Sequence, residues 1–201
     1  YLADKYCFTE RNESPRLRQQ WQDVLEECRQ TEAGPEERLR IALLNVDYVT
    51  SFELPFRLLL TRTPQLIAAL REEWDISQKN VVFNDKRFGC VYSLKASLSG
   101  VPDTFRYHLS HRIRRVVGNE NTSLPYQQVA REVKAPRERL KYALEAGLLV
   151  TALDGLFWFG SQRIAADVLR LRKAGMPVVT TTVEVHDNLT GTTRKVPAYH
   201  L

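Results

Sequence analysis

The sequence predicts a mostly α-helical chain with small β-hairpins, built from two copies of one helix-and-hairpin unit joined by a basic helical segment. Three observations carry that expectation. First, residues 35–56, PEERLRIALLNVDYVTSFELPF, overlay residues 136–157, PRERLKYALEAGLLVTALDGLF, without a gap. Pro35, Glu37, Arg38, Leu39, Ala42, Leu43, Val49, Thr50 and Phe56 recur as Pro136, Glu138, Arg139, Leu140, Ala143, Leu144, Val150, Thr151 and Phe157. Nine identities in 22 positions is far above chance, which supplies about one or two. Second, each copy runs on into apolar residues at helical spacing and then a strand, turn and strand pattern. Third, charge is unevenly placed. Lys and Arg number 14 against 15 Asp and Glu over residues 1–100, but 15 against 9 over residues 101–201, so the second half is the electropositive one.

Size and composition set the outer bounds. The 201 residues, 43% of them hydrophobic and with a net charge of +5, suffice for one large domain or two small ones with packed cores. No run approaches the roughly 18 apolar residues of a membrane span, and Tyr1-Leu-Ala-Asp-Lys lacks the apolar core of a signal peptide. The expectation is a cytoplasmic, nucleoid-associated protein that does not touch a membrane. A start without Met reads as a piece of a longer or trimmed protein. Cys7, Cys28 and Cys90 are odd in number and have neither CxxC spacing nor a nearby His pair, so they read as isolated thiols in a reducing compartment.

Taken in order, residues 1–14 are a polar lead-in. Ser14 as N-cap and Pro15 at the first helical position open a helix with Leu17, Trp21, Leu25 and Cys28 on one face. Thr31 to Pro35 ends it, and the first copy begins. Thr50-Ser-Phe-Glu53 and Thr151-Ala-Leu-Asp154 each set a hydroxyl three residues before an acid, as a capping box requires. Thr63-Pro64 and Ser161 are read as the starts of the third helices, with Leu66, Ile67 and Leu70 corresponding to Ile164, Ala165 and Val168. Each copy then closes in a hairpin. The first reverses at Asn84-Asp85-Lys86-Arg87 with Val82, Val91 and Leu94 packing inward. The second places Val183 and Val185 inward and turns at Asp187, Asn188, Thr190 and Gly191. Between the copies, residues 104–117 read as a basic amphipathic helix ended at Gly118-Asn-Glu-Asn, and a short helix near residues 125–133 packs through Leu124, Val129 and Val133.

Three helices followed by a hairpin is the order of a winged helix-turn-helix, and both copies follow it. The division is therefore an N-terminal helical extension over 1–34, a first, degenerate winged-helix module over 35–96, a basic helical connector over 97–135 and a second winged-helix module over 136–201.

Polyanion contact is expected from the third helix of the second copy, residues 162–175. Ile164, Val168 and Leu171 face the core with Ala165, leaving Gln162, Arg163, Ala166, Asp167, Arg170 and Lys173 on the other side. Ser161 is read as capping this helix, whose free N–H groups meet a phosphate. Gln162 and Arg163 are candidates for reading base edges, while Arg170, Arg172 and Lys173 are candidate phosphate contacts. Arg194 and Lys195, after the wing turn, bracket the adjacent backbone, and Arg106, Arg112, Arg114 and Arg115 are flanking contacts. A plain solvated face with cations complementing the helix dipole is the competing reading. In the first copy Glu72 and Glu73 repel phosphate near Arg71, with Arg57 and Arg62 as compensation, so that module is a candidate for a homodimer or another protein partner. A rival register makes residues 136–146 the reading helix, with Arg137, Arg139 and Lys141 toward DNA.

Residues 137–181 also resemble the small winged helix-turn-helix domains of bacteriophage and other mobile-element proteins. Thr151 to Leu153, Phe159-Gly160, Arg163 and the run from Leu171 to Val178 carry the resemblance. It covers about a third of the chain and implies DNA binding through the third helix and hairpin, by Arg163, Arg170, Arg172 and Lys173. The expected function is sequence-specific binding of double-stranded DNA, as a transcriptional regulator of a mobile element, without a cofactor. Replication or partition initiation, a winged-helix protein interaction module and structured-RNA binding are the alternatives. The sequence has no HExxH, Walker-type glycine loop, Cys/His cluster or nucleophile and base pattern, and the expectation is not an enzyme.

Overall fold

The structure is a computed structural model that describes residues 13–83, 85–101, 120–161, 163–187 and 189–201. It divides into two compact units. The N-terminal unit holds α1 (Pro15–Gln30), α2 (Pro35–Asn45), β1 (Val49–Thr50), α3 (Leu54–Arg57), α4 (Thr63–Leu70), β2 (Ser77–Phe83) and β3 (Lys86–Ser93). The C-terminal unit holds α5 (Glu120–Glu132), α6 (Pro136–Glu145), β4 (Val150–Thr151), α7 (Ala152–Phe157), α8 (Ile164–Lys173), β5 (Val179–Asp187) and β6 (Thr192–His200). The architecture is mixed α and β rather than helices with bare hairpins. In each unit a two-residue strand ahead of the short helix joins the hairpin, giving antiparallel three-stranded sheets ordered β1-β3-β2 and β4-β6-β5. Val49 faces Tyr92 and Val150 faces Tyr199, so the two tyrosines close the sheets in the same way.

Helix α1 forms as its sequence dictates. The Ser14 hydroxyl accepts from the Leu17 N–H at 3.1 Å, and Leu17, Trp21, Val24 and Cys28 form a buried stripe, with Val24 at its centre in the place expected for Leu25 and Leu25 only half-buried at its edge. That stripe packs with Leu39, Ala42, Leu43, Leu54, Leu58 and Leu70 in one core. Helix α5 does the same for the C-terminal unit, with a different contact set from the expected one. Glu120 and Asn121 belong to α5, and Tyr126 and Val129 are buried where Leu124 is 41% exposed. The Tyr126 hydroxyl donates to the Leu149 carbonyl, and its ring stacks on Phe159 at 6.4 Å between centroids. A tyrosine satisfies its polar tip at the core edge, which leucine cannot do.

The repetition holds in atomic detail. Thr151 lies 101 positions after Thr50, and the same spacing relates the buried capping boxes. Glu53 N–H donates to the Thr50 hydroxyl at 3.2 Å and Thr50 N–H to the Glu53 carboxylate at 3.3 Å; in the other unit the matching distances are 3.3 and 3.0 Å. Arg38 and Arg139 are tied to the turn before their helix, donating to the Ala33 and Val133 carbonyls at 2.7 Å each. Arg62 and Arg163 are both helix N-caps, at φ −128°, ψ 48° and φ −131°, ψ 52°. Before each cap the chain passes through the left-handed region, at Leu59 (φ 57°) and Gly160 (φ 71°). Glycine adopts it without a Cβ penalty, whereas Leu59 is held there by burial.

That constant spacing corrects the expected helix correspondence. Thr63, Ile67 and Leu70 match Ile164, Val168 and Leu171, and all but the half-buried Leu171 are fully buried. Gly155 completes the C-terminal core by close approach, since a Cβ there would lie 2.9 Å from Ile164 Cδ1 and 3.3 Å from its Cβ. In the first hairpin a register shift between Val81 and Val82 turns Val81 inward and leaves Val82 39% exposed, reversing the expected side. The second hairpin alternates as expected, with Val185 buried and Thr182 and Glu184 exposed.

Candidate nucleic-acid interface

The C-terminal unit presents one helix face with the expected chemistry. Ile164 and Val168 of α8 are buried and Leu171 is half-buried. Arg163, Ala166, Arg170 and Lys173, spaced at i, i+3, i+7 and i+10, are exposed on the opposite face. Ala165, expected inward, is exposed, because it lies at the border of the stripe that Ile164 and Val168 already fill. Small residues at 165 and 166 keep that part of the face low.

The candidate cations differ in what already holds them. Arg163 is exposed at the helix N-cap, Lys173 is exposed in the last turn, and neither has an ion-pair partner among the described residues. Arg170 is 48% exposed and donates to Asp167 at 2.7 Å. Arg172 is bonded within its own unit, where its Nε donates to the Val178 carbonyl at 2.9 Å and its Nη2 to the Thr180 hydroxyl at 2.8 Å. It fastens the end of α8 to the start of β5, while the residue itself stays exposed. Arg194 is also paired within its own unit, its Nε 3.2 Å from the fully buried Asp187 carboxylate across the hairpin. Lys195 is exposed and stands opposite Glu184 in the ladder. Gln162, Arg106, Arg112, Arg114 and Arg115, with the whole stretch 104–117, lie outside the described residues.

Ser161 does not cap α8 in the expected sense. The N-cap is Arg163, and Ser161 sits two residues earlier. Its hydroxyl accepts from the Arg163 N–H at 3.3 Å and donates to the Asp167 carboxylate. It therefore fixes the chain entering the helix, and its oxygen is engaged by these two partners.

In the rival register the reading helix is α6. Leu140, Ala143 and Leu144 of α6 are at most 2% exposed, and Arg139 is drawn back onto the Val133 carbonyl. Helix α6 is a core helix, with Arg137 and Lys141 on its solvated side.

The matching face of α4 lacks the same charge. At the positions of Arg163, Ala166, Arg170 and Lys173 the N-terminal unit has Arg62, Gln65, Ala69 and Glu72, all exposed. Arg57, expected to compensate there, is half-buried in an ion cluster instead: it pairs with Glu13, lies 3.7 Å from Glu53 and stacks over Trp21 at 4.6 Å. Glu73 is held by Arg40 at 2.7 and 2.8 Å. Sequence reasoning missed the Arg40–Glu73 and Arg57–Glu13 pairs because they join residues 33 and 44 positions apart.

Cys28 and Cys90 are buried and form no disulfide, and no group of three or more metal-ligating side chains lies together among the described residues. No helix among those residues is long and apolar enough to cross a membrane. Comparisons with protein families, curated proteins and solved structures found no match to this chain.

Proposed function

We propose that the chain is a pair of winged helix-turn-helix modules and that the C-terminal one binds double-stranded DNA, α8 entering the major groove and the β5–β6 hairpin lying along the backbone. The observation that carries this reading is the exposed stripe Arg163, Ala166, Arg170 and Lys173 opposite a fully apolar buried stripe. An α-helix fits the major groove of B-form DNA, where arginine reads guanine by paired hydrogen bonds. In A-form RNA that groove is too deep and narrow for side chains to read. Both units share the β1-β3-β2 type of strand order, which supports a common ancestry for the modules. Arg163 is the base reader, and Lys173 and Lys195 are phosphate contacts. Sequence-specific control of transcription, in a mobile element, is the use this reading favours.

The test is binding of the full chain to duplex DNA and to structured RNA over a range of salt. The two phosphate contacts, Lys173 and Lys195, give a log K against log salt slope of roughly −2 on duplex DNA. Lys195→Ala flattens that slope by about one unit without changing base preference. Equal binding to RNA hairpins, or a flat salt response, overturns the reading. A second reading, protein interaction, is favoured for the N-terminal unit by Ala69 and Glu72 on the α4 face and by Leu44, 64% exposed on α2.

A further inference from the structure

We infer that Asp167 is a positioning residue which converts Arg170 from a phosphate clamp into a reader of guanine in duplex DNA. This inference rests on the DNA-binding reading above and deepens it. The Ser161 hydroxyl donates to one oxygen of the Asp167 carboxylate, and the other oxygen accepts from Arg170 Nη2 at 2.7 Å. The Asp167 side chain is only 23% exposed while Arg170 is 48% exposed, so the carboxylate is anchored behind and the guanidinium is presented in front.

Two consequences follow from that geometry. The carboxylate offsets the arginine charge, which weakens its pull toward phosphate wherever the helix lands. The guanidinium still has donors left over, held as a flat fork on the same face as Arg163, and guanine O6 and N7 are the base-edge pair that matches such a fork. A lysine at this position, being a point charge, would keep phosphate affinity and lose the match.

The sister unit shows that the trio is not needed to build the helix. At the positions of Ser161, Asp167 and Arg170 it has Leu60, Leu66 and Ala69, and α4 forms with no acid in its first turn. Leu60 and Leu66 serve the apolar core instead. The acid is present in the unit with the arginine and missing from the unit without it. An isolated surface ion pair contributes little to stability, which is consistent with a role other than holding the fold.

The experiment compares the full chain with Asp167→Asn, Ser161→Ala and Arg170→Ala in selection from a randomised duplex library, followed by salt titrations on a selected and a scrambled duplex. Asn is nearly isosteric and keeps an acceptor for Ser161, and far-UV circular dichroism verifies that each variant is folded. The expected result is one guanine position in the wild-type motif that disappears in both Arg170→Ala and Asp167→Asn. Asp167→Asn also binds the scrambled duplex several-fold more tightly, with a slope steeper by about one unit, and Ser161→Ala lies between it and wild type. A merely structural role would move neither the slope nor the base preference. If wild type selects a motif and Asp167→Asn selects the same one with the same slope, the positioning role is overturned and DNA binding stands. If wild type selects no motif at all, the DNA reading fails and takes this inference with it.

Discussion

Replacing Thr151 by Val is a sharp test of how the two units hold their shape. Valine keeps the β-branched volume and removes the hydroxyl, which accepts from the Asp154 N–H at 3.3 Å and donates to its carboxylate at 3.0 Å. Both residues are at most 2% exposed, so water cannot replace the missing partner. Loss of a threonine cap costs about 1 kcal/mol where water can reach the freed N–H, and about 1–3 kcal/mol where, as here, the donor left unpaired is buried. The carboxylate keeps the Thr151 N–H at 3.0 Å, which limits the damage, so the expected loss is about 1–3 kcal/mol. Thr50→Val should cost somewhat less, because Thr50 and Glu53 are equally buried and share the two backbone bonds, at 3.2 and 3.3 Å, while the hydroxyl-to-carboxylate bond belongs to the Thr151 box. Equilibrium urea unfolding followed by circular dichroism measures both. A loss under about 0.5 kcal/mol in either variant would show that the hydroxyl does not hold the strand-to-helix junction, and the shared architecture would need another cause.

The remaining expectations concern single ties. Arg172→Met keeps the aliphatic stem and removes two charge-assisted hydrogen bonds, so stability should fall by about 1–2 kcal/mol with the duplex salt slope unchanged; a flatter slope with full stability would return Arg172 to the phosphate contacts. Lys95 at 2.7 Å, aided by Arg16 at 3.1 Å, holds the Asp47 carboxyl down at about 2. Because this folded-state value lies below the ordinary carboxylate value of about 4, the stabilisation is fully present above about pH 4 and is lost as pH falls toward 2. Titration of the Asp47 side chain by NMR should show that low value and its rise in Lys95→Ala; an ordinary value in the unaltered protein contradicts the pairing.

Much of the fold was legible because the repeat preserves the residues that fix local geometry. Thr50 and Thr151 mark the same junction, Arg38 and Arg139 the same turn, and Tyr92 and Tyr199 the same closing pair, and each is visible as a recurring letter. What sequence could not give was the partner of each side chain. Arg172 and Arg194 count as cations in any tally, yet one is spent on a carbonyl and a threonine and the other on a buried aspartate. The helix start was misplaced by two residues because Ser161 is a good capping residue by type, whereas the turn at Gly160 delivers the chain so that Arg163 occupies the cap. The third strand of each sheet escaped because two residues are too few for a periodic signal. Of the candidate site, the exposed face of α8 was readable from helical spacing, and its internal ion pairing was not.

The central claim is that α8 reads bases through Arg163. Its most direct measurement is the affinity of the full chain and of Arg163→Ala for a duplex selected from a random library and for a scrambled duplex of equal length, at one fixed salt concentration. The account predicts that wild type prefers the selected duplex and that Arg163→Ala loses about 1–3 kcal/mol of that preference, roughly 5- to 150-fold in relative affinity. Indistinguishable affinities of wild type and Arg163→Ala for both duplexes would contradict it.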